Sequence, residues 1–211
     1  AIGASVVQPL DIVAAFTVFA NLGTPMEPRF IHRIEDSRGQ VVYSAPVHAL
    51  PPAMDAPVAF VVREMMRDVV DRGTATSVRR FVPPAIPVAG KTGTTNDNTD
   101  TWFIGLTPDI VAGVWFGFDR PTPISGAAVG GSLAAPAWGR MVGSLYRSRG
   151  PAQEWTAPAG VISGTAERGT ANLASDLTPP DRRYTEHFVE GTEPEALRLD
   201  PWRLFRWGPL Q

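Results

Sequence analysis

The chain has 211 residues, 44% of them hydrophobic, which is enough apolar material for one domain or a large part of one. A net charge of −2 and an isoelectric point near 5.9 exclude the strongly basic balance of a nucleic-acid-binding protein, so we expect no nucleic-acid partner. The sequence has no cysteine, and its histidines, His32, His48 and His187, stand too far apart for a metal-ligand motif. We therefore expect no disulfide, no metal site and no cofactor.

No segment approaches the run of about 20 apolar residues that a membrane-crossing helix needs. The chain opens on Ala1 rather than on methionine and continues directly into a helical pattern. We therefore expect a stretch from within a longer polypeptide, whose export signal or membrane anchor lies upstream. On this interpretation the missing N-terminal part of the same polypeptide is a partner of the chain.

The first predicted element is a buried helix that begins near Pro9 and ends at the turn Asn21–Gly23. Its apolar positions are Leu10, Ile12, Val13, Phe16, Val18 and Phe19. A β-hairpin follows, with strands over Phe30–Ile34 and Val41–Tyr43 on either side of a turn that contains Gly39.

Pro51 and Pro52 break the chain before a second predicted helix, for which Asp55 is a suitable N-cap and Pro57 a first-turn residue. This helix carries a stripe of apolar residues and stops at Gly73. The stripe consists of Val58, Val61, Val62, Met65, Met66 and Val69, and we expect its methionine pair to fill the core.

Apolar runs rich in β-forming residues follow at Ile86–Thr95, Trp102–Leu106 and Ile110–Phe118. The short link Thr107–Asp109 leaves no room for a crossover helix, so the second and third strands should be antiparallel. A helix from about Ala134 to Tyr146 comes next. The chain is therefore expected to have an α+β fold in which helices cover an antiparallel sheet.

Regular periodicity weakens after Gly150, so residues 151–211 are expected to form an irregular C-terminal extension of a domain that covers residues 1–150. The extension ends in alternating arginine and aromatic residues at Trp202–Trp207. Such a composition suits a membrane surface, but the run is short and follows Pro201, so we expect a tail instead.

Lys91 is the only lysine among the 19 lysine and arginine residues, and it lies in the motif Gly90-Lys91-Thr92-Gly93-Thr94-Thr95. An ammonium is a compact point charge on a flexible stem, whereas a guanidinium is a wide fork. A phosphate-binding P-loop is excluded because Ala85 occupies its first glycine position and turn residues stand where a helix should follow. As an extended strand, the motif places the Thr92 and Thr94 hydroxyls on one face and Lys91 on the other.

An edge strand of this kind can pair with an extended peptide and hold its C-terminal carboxylate with the two hydroxyls. Gly93 has no side chain, which lets the backbone of another chain approach closely. An ordinary threonine-rich strand is the alternative that the sequence Lys91-Thr92-Gly93 alone leaves open.

The residues around the strand carry a family resemblance. The chain resembles class A penicillin-binding proteins in three successive motifs, which are Lys91-Thr92-Gly93-Thr94-Thr95-Asn96-Asp97, Asp100-x-Trp102-Phe103-x-Gly105-x-Thr107-Pro108 and Gly113-Val114-Trp115-x-Gly117-x-Asp119. Further matches lie outside this cluster, at Gly3-Ala4-Ser5 with Pro9-Leu10, Phe19-Ala20-Asn21-x-Gly23, Arg72-Gly73-Thr74-Ala75, Ala134-Ala135-Pro136-x-Trp138 and Phe188-x-x-Gly191-Thr192-Glu193-Pro194. The resemblance covers nearly the whole chain and implies the C-terminal half of a β-lactamase/transpeptidase-like fold.

The D,D-transpeptidase domain of this family uses a Ser-x-x-Lys motif with the nucleophile, a Ser-x-Asn motif and a Lys-Thr-Gly edge strand. The resemblance implies that Lys91, Thr92 and Thr94 position the terminal carboxylate of a peptidoglycan stem peptide or of a β-lactam. It also implies that Lys91 supports the hydroxyl of the Ser-x-Asn serine electrostatically, and that the Thr94 N–H is a second oxyanion donor.

Neither the Ser-x-x-Lys nor the Ser-x-Asn motif occurs in residues 1–211, so we expect the nucleophile, its base and the relay serine to lie elsewhere in the polypeptide. The chain by itself is expected to be inactive. Asp100, Trp102 and Trp115 also match the family, but aromatic and turn residues beside a strand are expected to be structural.

Several functions remain open on the sequence alone. The first is part of a class A penicillin-binding protein that cross-links peptidoglycan by attack on a D-Ala-D-Ala stem peptide, on the extracytoplasmic or periplasmic side of the bacterial plasma membrane. The second is a D,D-carboxypeptidase or serine β-lactamase relative, which passes its acyl-enzyme to water. The third is a noncatalytic module that binds stem peptides. The tryptophan-rich strands and the C-terminal motif favour the first, and the upstream sequence would distinguish all of them.

Overall fold

The chain divides into two units, Ala1–Pro158 and Ala159–Gln211. The computed structural model describes residues 6–126, 128–150, 152–170 and 172–194. The family match at Gly3-Ala4-Ser5 and the run Trp202–Trp207 therefore lie outside the described residues. In chain order the elements of the first unit are α1 (Pro9–Ala20), β1 (Arg33–Glu35), β2 (Val41–Ser44), α2 (Ala56–Asp71), a 3-10 helix (Thr76–Arg80), β3 (Ala89–Thr94), β4 (Thr101–Leu106), β5 (Val111–Phe116) and α3 (Ala134–Arg149).

The central sheet of the first unit has the strand order β3-β4-β5, and both pairs are antiparallel. The predicted antiparallel pairing of β4 and β5 is confirmed, and the Thr107 N–H closes their turn by donating to the Ile110 carbonyl at 2.8 Å. Strand β3 begins at Ala89, later than the predicted start at Ile86. Pro87 explains the delay, because proline has no N–H to donate to a neighbouring strand.

One face of the sheet packs on α3 and forms the larger core. The Trp138 ring meets Phe103 edge-on with centroids 5.4 Å apart, and its Nε1 donates to the Ala112 carbonyl at 3.0 Å. The buried residues of this core are Val70, Ala75, Val78, Val82, Ile86, Val88, Phe103, Ala134, Ala135, Trp138, Val142 and Tyr146. Most come from α3 and from the segment between α2 and β3, so this core holds β3 from one side.

Helix α3 approaches the segment around the 3-10 helix closely because it presents glycine there. A Cβ added to Gly139 would lie 3.2 Å from the Val78 Cα, and one added to Gly143 would lie 2.3 Å from the Phe81 carbonyl oxygen. These glycines are four residues apart and therefore share one face of the helix. This backbone contact fixes the position of α3 relative to the 3-10 helix. The position of α3 in turn determines where the turn that precedes it lies.

The opposite face of the sheet is covered by α1 and α2. A Cβ at Gly113 of β5 would lie 2.6 Å from Cγ2 of Val13, which shows how closely α1 lies on the strand. The predicted helix is confirmed, but the prediction that it is buried is wrong, since Val18 is its buried residue and Leu10 is exposed. Within the described residues, α1 has one covered side and leaves the rest to solvent.

Helix α2 runs from Ala56 to Asp71 with Pro57 in its first turn, as predicted. Asp55 occupies the N-cap position, but its side chain makes no capping hydrogen bond, so the predicted cap is wrong in this respect. Met66 is buried in a second core cluster with Ala89 and Leu106, whereas Met65 is exposed. The methionine pair therefore contributes one core residue, since adjacent helical positions point in different directions.

The hairpin β1–β2 lies on the surface, and all of its strand residues are exposed. Strand β1 begins at Arg33, three residues after the predicted start, because pairing with β2 ends near the bond from the Ala45 N–H to the His32 carbonyl at 2.9 Å. Gly39 lies in the predicted turn with φ of 79°, a conformation that favours glycine.

The second unit contains regular structure that the sequence did not predict. Its described part pairs β6 (Val161–Glu167) with β7 (Arg183–Val189) in an antiparallel two-stranded sheet, with a 3-10 helix (Pro180–Arg182) before β7. Both strands mix polar residues with apolar ones, β6 also contains Gly164, and a long connection replaces the tight turn that marks a hairpin. The part of the chain that the structure describes has no helix long and apolar enough to cross a membrane.

Candidate functional site

Strand β3 lies at one edge of the central sheet, with β4 on one side and no strand paired on the other among the described residues. The Thr95 N–H donates to the Asp100 carbonyl at 3.1 Å, so these residues form a hydrogen-bonded pair. Such pairs alternate along an antiparallel ladder, and the backbone groups of Thr92 and Thr94 therefore point away from β4. This leaves N–H and C=O groups at the free edge, as an added strand requires.

The Thr92 and Thr94 side chains share the face of the sheet that packs on α3. The register places Thr92 directly opposite Phe103, and residues opposite each other in an antiparallel pair have side chains on the same face. Phe103 contacts Trp138 of α3, which identifies this face. The predicted alternation is therefore observed, since Lys91 and Gly93 lie on the other face.

Each hydroxyl has a partner from a different part of the chain. The Thr92 Oγ1 lies 2.8 Å from the Thr74 Oγ1, where either oxygen can be the donor. The Thr94 Oγ1 accepts a hydrogen bond from the Gly130 N–H at 3.0 Å. Thr74 follows α2 and Gly130 precedes α3, so two surrounding elements orient the strand's hydroxyls.

Lys91 is exposed, and its Nζ donates to the carbonyl of the neighbouring Thr92 at 2.8 Å. Within the described ranges Lys91 forms no ion pair with a carboxylate. A bond to an adjacent carbonyl leaves two ammonium hydrogens for other acceptors. The ammonium therefore lies close to the free backbone edge and is available to a negatively charged ligand.

Gly93 lies between the two threonines, opposite Trp102. A Cβ at Gly93 would approach the Trp102 Cβ to 3.2 Å, so a larger residue would press on the neighbouring strand. Trp102 lies near Trp115 with ring centroids 6.1 Å apart, and the Trp115 Nε1 donates to the Asp100 Oδ1 at 3.0 Å. Asp100, Trp102 and Trp115 thus support the strand, in agreement with the structural role expected of them.

The site offers two hydroxyls, one ammonium and free backbone groups within one short strand, a set that suits a carboxylate at the end of an extended peptide. No group of three His, Cys, Asp or Glu side chains could hold a metal ion in the described part of the chain. Of the histidines, His48 Nδ1 lies 3.4 Å from the Glu27 Oε2 and His187 Nδ1 lies 3.0 Å from the Ser163 hydroxyl oxygen.

The structure brings together the predicted residues Lys91, Thr92, Gly93 and Thr94, and it adds residues that the sequence did not indicate. Thr74 lay in a family-like motif without an assigned role, and Gly130 belonged to no motif. The signal for Gly130 was the glycine pair just before a predicted helix, where the backbone can approach another segment closely. The roles of all these residues in binding remain predictions.

Comparison with known proteins assigns the chain to a family. The model of the penicillin-binding protein transpeptidase domain matches residues 1–136, and that of the penicillin-binding protein 1A C-terminal domain matches residues 157–197. Penicillin-binding protein 1A of Neisseria lactamica is 37% identical across 79% of this chain and 21% of its own length. The protein of the same name from Pseudomonas aeruginosa is 31% identical across 95% of this chain and 30% of its own length.

A solved structure gives the same fold. The crystal structure of penicillin-binding protein 1A from Haemophilus influenzae superposes with a TM-score of 0.75 and 22% identity, covering 89% of this chain and 32% of that one. The predicted α+β transpeptidase-like fold and the family resemblance are therefore confirmed. The chain spans 21% and 30% of the length of the two curated relatives.

Proposed function

Because the chain belongs to the penicillin-binding protein transpeptidase domain family, we propose that β3 is the carboxylate-binding wall of a D,D-transpeptidase site. The complete protein cross-links peptidoglycan stem peptides and is acylated by penicillin. One observation carries the proposal: Lys91, Thr92, Gly93 and Thr94 lie on an edge strand whose free side presents backbone hydrogen-bonding groups. Two hydroxyls and an ammonium accompany those groups.

In this proposal the stem peptide lies along the free edge of β3, and the Thr92 and Thr94 hydroxyls donate to its terminal carboxylate. A β-lactam carboxylate takes the same place. Hydrogen bonds to a charged acceptor are stronger than those between neutral groups, so these contacts favour ligands that end in a free carboxylate. Support comes from the shared face of the two side chains and from their fixed partners, Thr74 and Gly130.

Lys91 supplies positive charge beneath the same strand. Its ammonium donates to the Thr92 carbonyl, 2.8 Å away. When a ligand binds, the ammonium turns to the hydroxyl of the relay serine and attracts the bound carboxylate. The Thr94 N–H points toward the free edge by the alternation of the ladder and serves as an oxyanion donor. Gly93 lets the ligand backbone approach the strand.

The nucleophile belongs to a part of the polypeptide outside these 211 residues, since Ser-x-x-Lys and Ser-x-Asn are absent from them. The serine oxygen attacks the carbonyl carbon of the penultimate D-Ala, and its proton passes through a base to the amine of the leaving D-Ala as the C–N bond breaks. The amine of a second stem peptide then attacks the carbonyl carbon of the resulting ester, the C–O bond to the serine breaks, and the amine proton passes to the serine oxygen. The isolated chain lacks this chemistry and only binds.

The match to a penicillin-binding protein 1A C-terminal domain at residues 157–197 favours a transpeptidase over a carboxypeptidase or a β-lactamase. It also supports a domain boundary near residue 150, which agrees with the separation of the two units at Pro158. We place the complete protein on the extracytoplasmic side of the plasma membrane, where stem peptides occur, with its anchor in another part of the polypeptide.

The test replaces Lys91 in the complete polypeptide. Lys91→Ala should lower the second-order rate of acylation by penicillin on the order of 100-fold to 1,000-fold, as expected for one preorganised electrostatic contact. Lys91→Arg keeps the charge but should remain impaired, because a wide guanidinium cannot take the place of a compact ammonium.

Arg38→Ala is the matched control, since it removes one exposed positive charge from the hairpin turn. This variant should be acylated at the parental rate, and thermal stability is measured for each protein. Parental acylation of Lys91→Ala would make Lys91 a surface residue of an ordinary strand.

A further inference from the structure

The turn at residues 129–132, in the last part of the connection from β5 to α3, lies against β3 at the candidate site. A Cβ added to Gly130 would come within 2.5 Å of the Trp102 carbonyl oxygen and 2.7 Å of the Gly93 carbonyl oxygen. Both are backbone atoms of paired strands, so no side-chain rotation could relieve the contact. The turn therefore reaches the strand only because Gly130 has no side chain.

Gly131 makes the equivalent approach to the segment after α2. A Cβ there would lie 2.1 Å from the Thr74 carbonyl oxygen. Neither Gly130 nor Gly131 has a positive φ. Glycine is needed at both positions because a side chain would collide with neighbouring backbone, not because of an unusual φ. Together the two glycines let the turn pack between Gly93 and Thr74.

Hydrogen bonds hold this turn on both sides. The Ala135 N–H at the start of α3 donates to the Gly130 carbonyl at 2.8 Å. The Ser77 hydroxyl donates to the Gly131 carbonyl at 2.7 Å. The Gly130 N–H belongs to the Val129–Gly130 peptide, whose carbonyl accepts hydrogen bonds from the Ser132 and Leu133 N–H groups at 3.0 Å each. This N–H donates to the Thr94 hydroxyl, 3.0 Å away.

The hydrogen bond from the Gly130 N–H limits which hydrogen bonds the Thr94 hydroxyl can still form. A threonine hydroxyl has one hydrogen to donate and two lone pairs that accept. Because the Gly130 N–H occupies an acceptor position, the hydroxyl hydrogen must point elsewhere, and no acceptor for it lies among the residues that the structure describes. The Thr94 hydroxyl therefore keeps its hydrogen for a ligand while the Gly130 N–H holds its oxygen in place.

We propose that Gly130 is a positioning residue that makes the site selective for acyl donors with a free carboxylate, by holding the Thr94 hydroxyl as a donor. The inference rests on the proposed function of β3. Gly131 contributes through Thr74, whose hydroxyl lies 2.8 Å from that of Thr92. The two hydroxyls of the strand are thus set by adjacent glycines of one turn.

The experiment compares two acyl donors on the complete polypeptide, benzylpenicillin and its methyl ester, by mass spectrometry of the intact protein. Gly130→Ala should lower the ratio of the acylation rate with benzylpenicillin to the rate with the ester about tenfold or more, as expected for the loss of one hydrogen bond to a charged group, even where displacement of β3 slows both reactions. Gly126→Ala is the matched control, because it lies in the same loop and a Cβ there would meet nothing within 4 Å.

Ser77→Ala is a second variant, which adds no atoms and therefore causes no steric clash. It tests the proposed role of the turn even if Gly130→Ala fails to fold. It frees the Gly131 carbonyl and should lower the rate ratio of acid to ester in the same direction by a smaller factor. If the folded variants were acylated more slowly by the same factor with both donors, the turn would have only a structural role. If neither rate changed, the inference would also be overturned. A complete polypeptide that penicillin does not acylate would overturn the proposed function as well.

Discussion

The two threonine hydroxyls of β3 differ in what they can still do when a ligand arrives. The Gly130 N–H fills one of the two acceptor positions of the Thr94 hydroxyl, whereas the Thr92 hydroxyl shares a hydrogen bond with that of Thr74 across 2.8 Å. Because either oxygen of that pair can donate, Thr92 can turn its hydrogen to a carboxylate while the Thr74 hydroxyl donates to Thr92. Thr92 is therefore a donor that its partner helps to orient.

This arrangement predicts the effect of removing the Thr92 hydroxyl in the complete polypeptide. Thr92→Val keeps the shape of the side chain and should slow acylation by benzylpenicillin on the order of tenfold, the loss of one hydrogen bond to a charged group. Thr92→Ser restores the hydroxyl and should recover most of the rate. Acylation kinetics with melting temperature measured in parallel provide the check.

Thr122→Val is the control for that substitution, because Thr122 is an exposed loop residue whose hydroxyl bonds only to the nearby Arg120 carbonyl among the described residues. It should change neither the rate nor the melting temperature. Equal acylation of Thr92→Val and the parent would remove Thr92 from the proposed carboxylate site.

Part of the site could be predicted at this scale. Lys91 lies on the face of the sheet opposite to Thr92 and Thr94 because successive side chains of an extended strand alternate between faces, which can be predicted directly from the sequence. The partners of the hydroxyls could not be predicted, because Thr74 and Gly130 stand 18 and 36 residues away in the chain. Those contacts depend on how α2 and α3 pack against the sheet.

Among the elements, α2 carries an unusual feature on its buried side. Arg63 is 1% exposed, and its Nε and Nη2 have no hydrogen-bond partner among the described residues. Its guanidinium lies 4.8 Å from the Phe60 ring centre and 4.5 Å from that of Trp155. Burial lowers the pKa of Arg63 to about 10, so the side chain still carries its charge near neutral pH.

We therefore expect Arg63→Met to leave the melting temperature of the complete polypeptide unchanged or to raise it. Desolvation of an ion costs several kcal/mol, whereas each cation–π contact contributes about 0.5–2 kcal/mol, and methionine fills the same space without charge. Arg63→Ala should destabilise the fold by about 2–5 kcal/mol through the cavity left between two aromatic rings. A lower melting temperature for Arg63→Met than for the parent would mean that the charge itself holds α2 in place.

Elements with strong periodicity or short links could be predicted, and others could not. Helices α1, α2 and α3 show apolar spacing or proline and glycine boundaries, and the brief turn at Thr107–Asp109 dictates antiparallel strands. Strands β6 and β7 carry no such signal, because Ser163 and Gly164 interrupt the apolar pattern and the two strands are joined by a long connection. Their pairing is a property of the folded second unit.

At the scale of the whole molecule, the family assignment and the missing motifs both bear on how much of a transpeptidase site this chain contains. The chain covers 21% of one curated relative and 30% of another, and it contains the Lys-Thr-Gly strand without the Ser-x-x-Lys nucleophile. A site of this kind needs nucleophile, base and oxyanion donors in one place. We propose that the described residues provide its carboxylate-binding wall and that the remaining groups come from elsewhere in the same polypeptide.

Fluorescent penicillin labelling of the complete polypeptide and of residues 1–211 alone, followed by peptide mapping, tests this account most directly. The complete polypeptide should carry one covalent label on a serine that lies outside residues 1–211, and unlabelled β-lactam should prevent it. The isolated chain should carry none, because no serine in it stands in a Ser-x-x-Lys motif. A stoichiometric label on a serine within residues 1–211, or a complete polypeptide that takes up no label, would contradict the account.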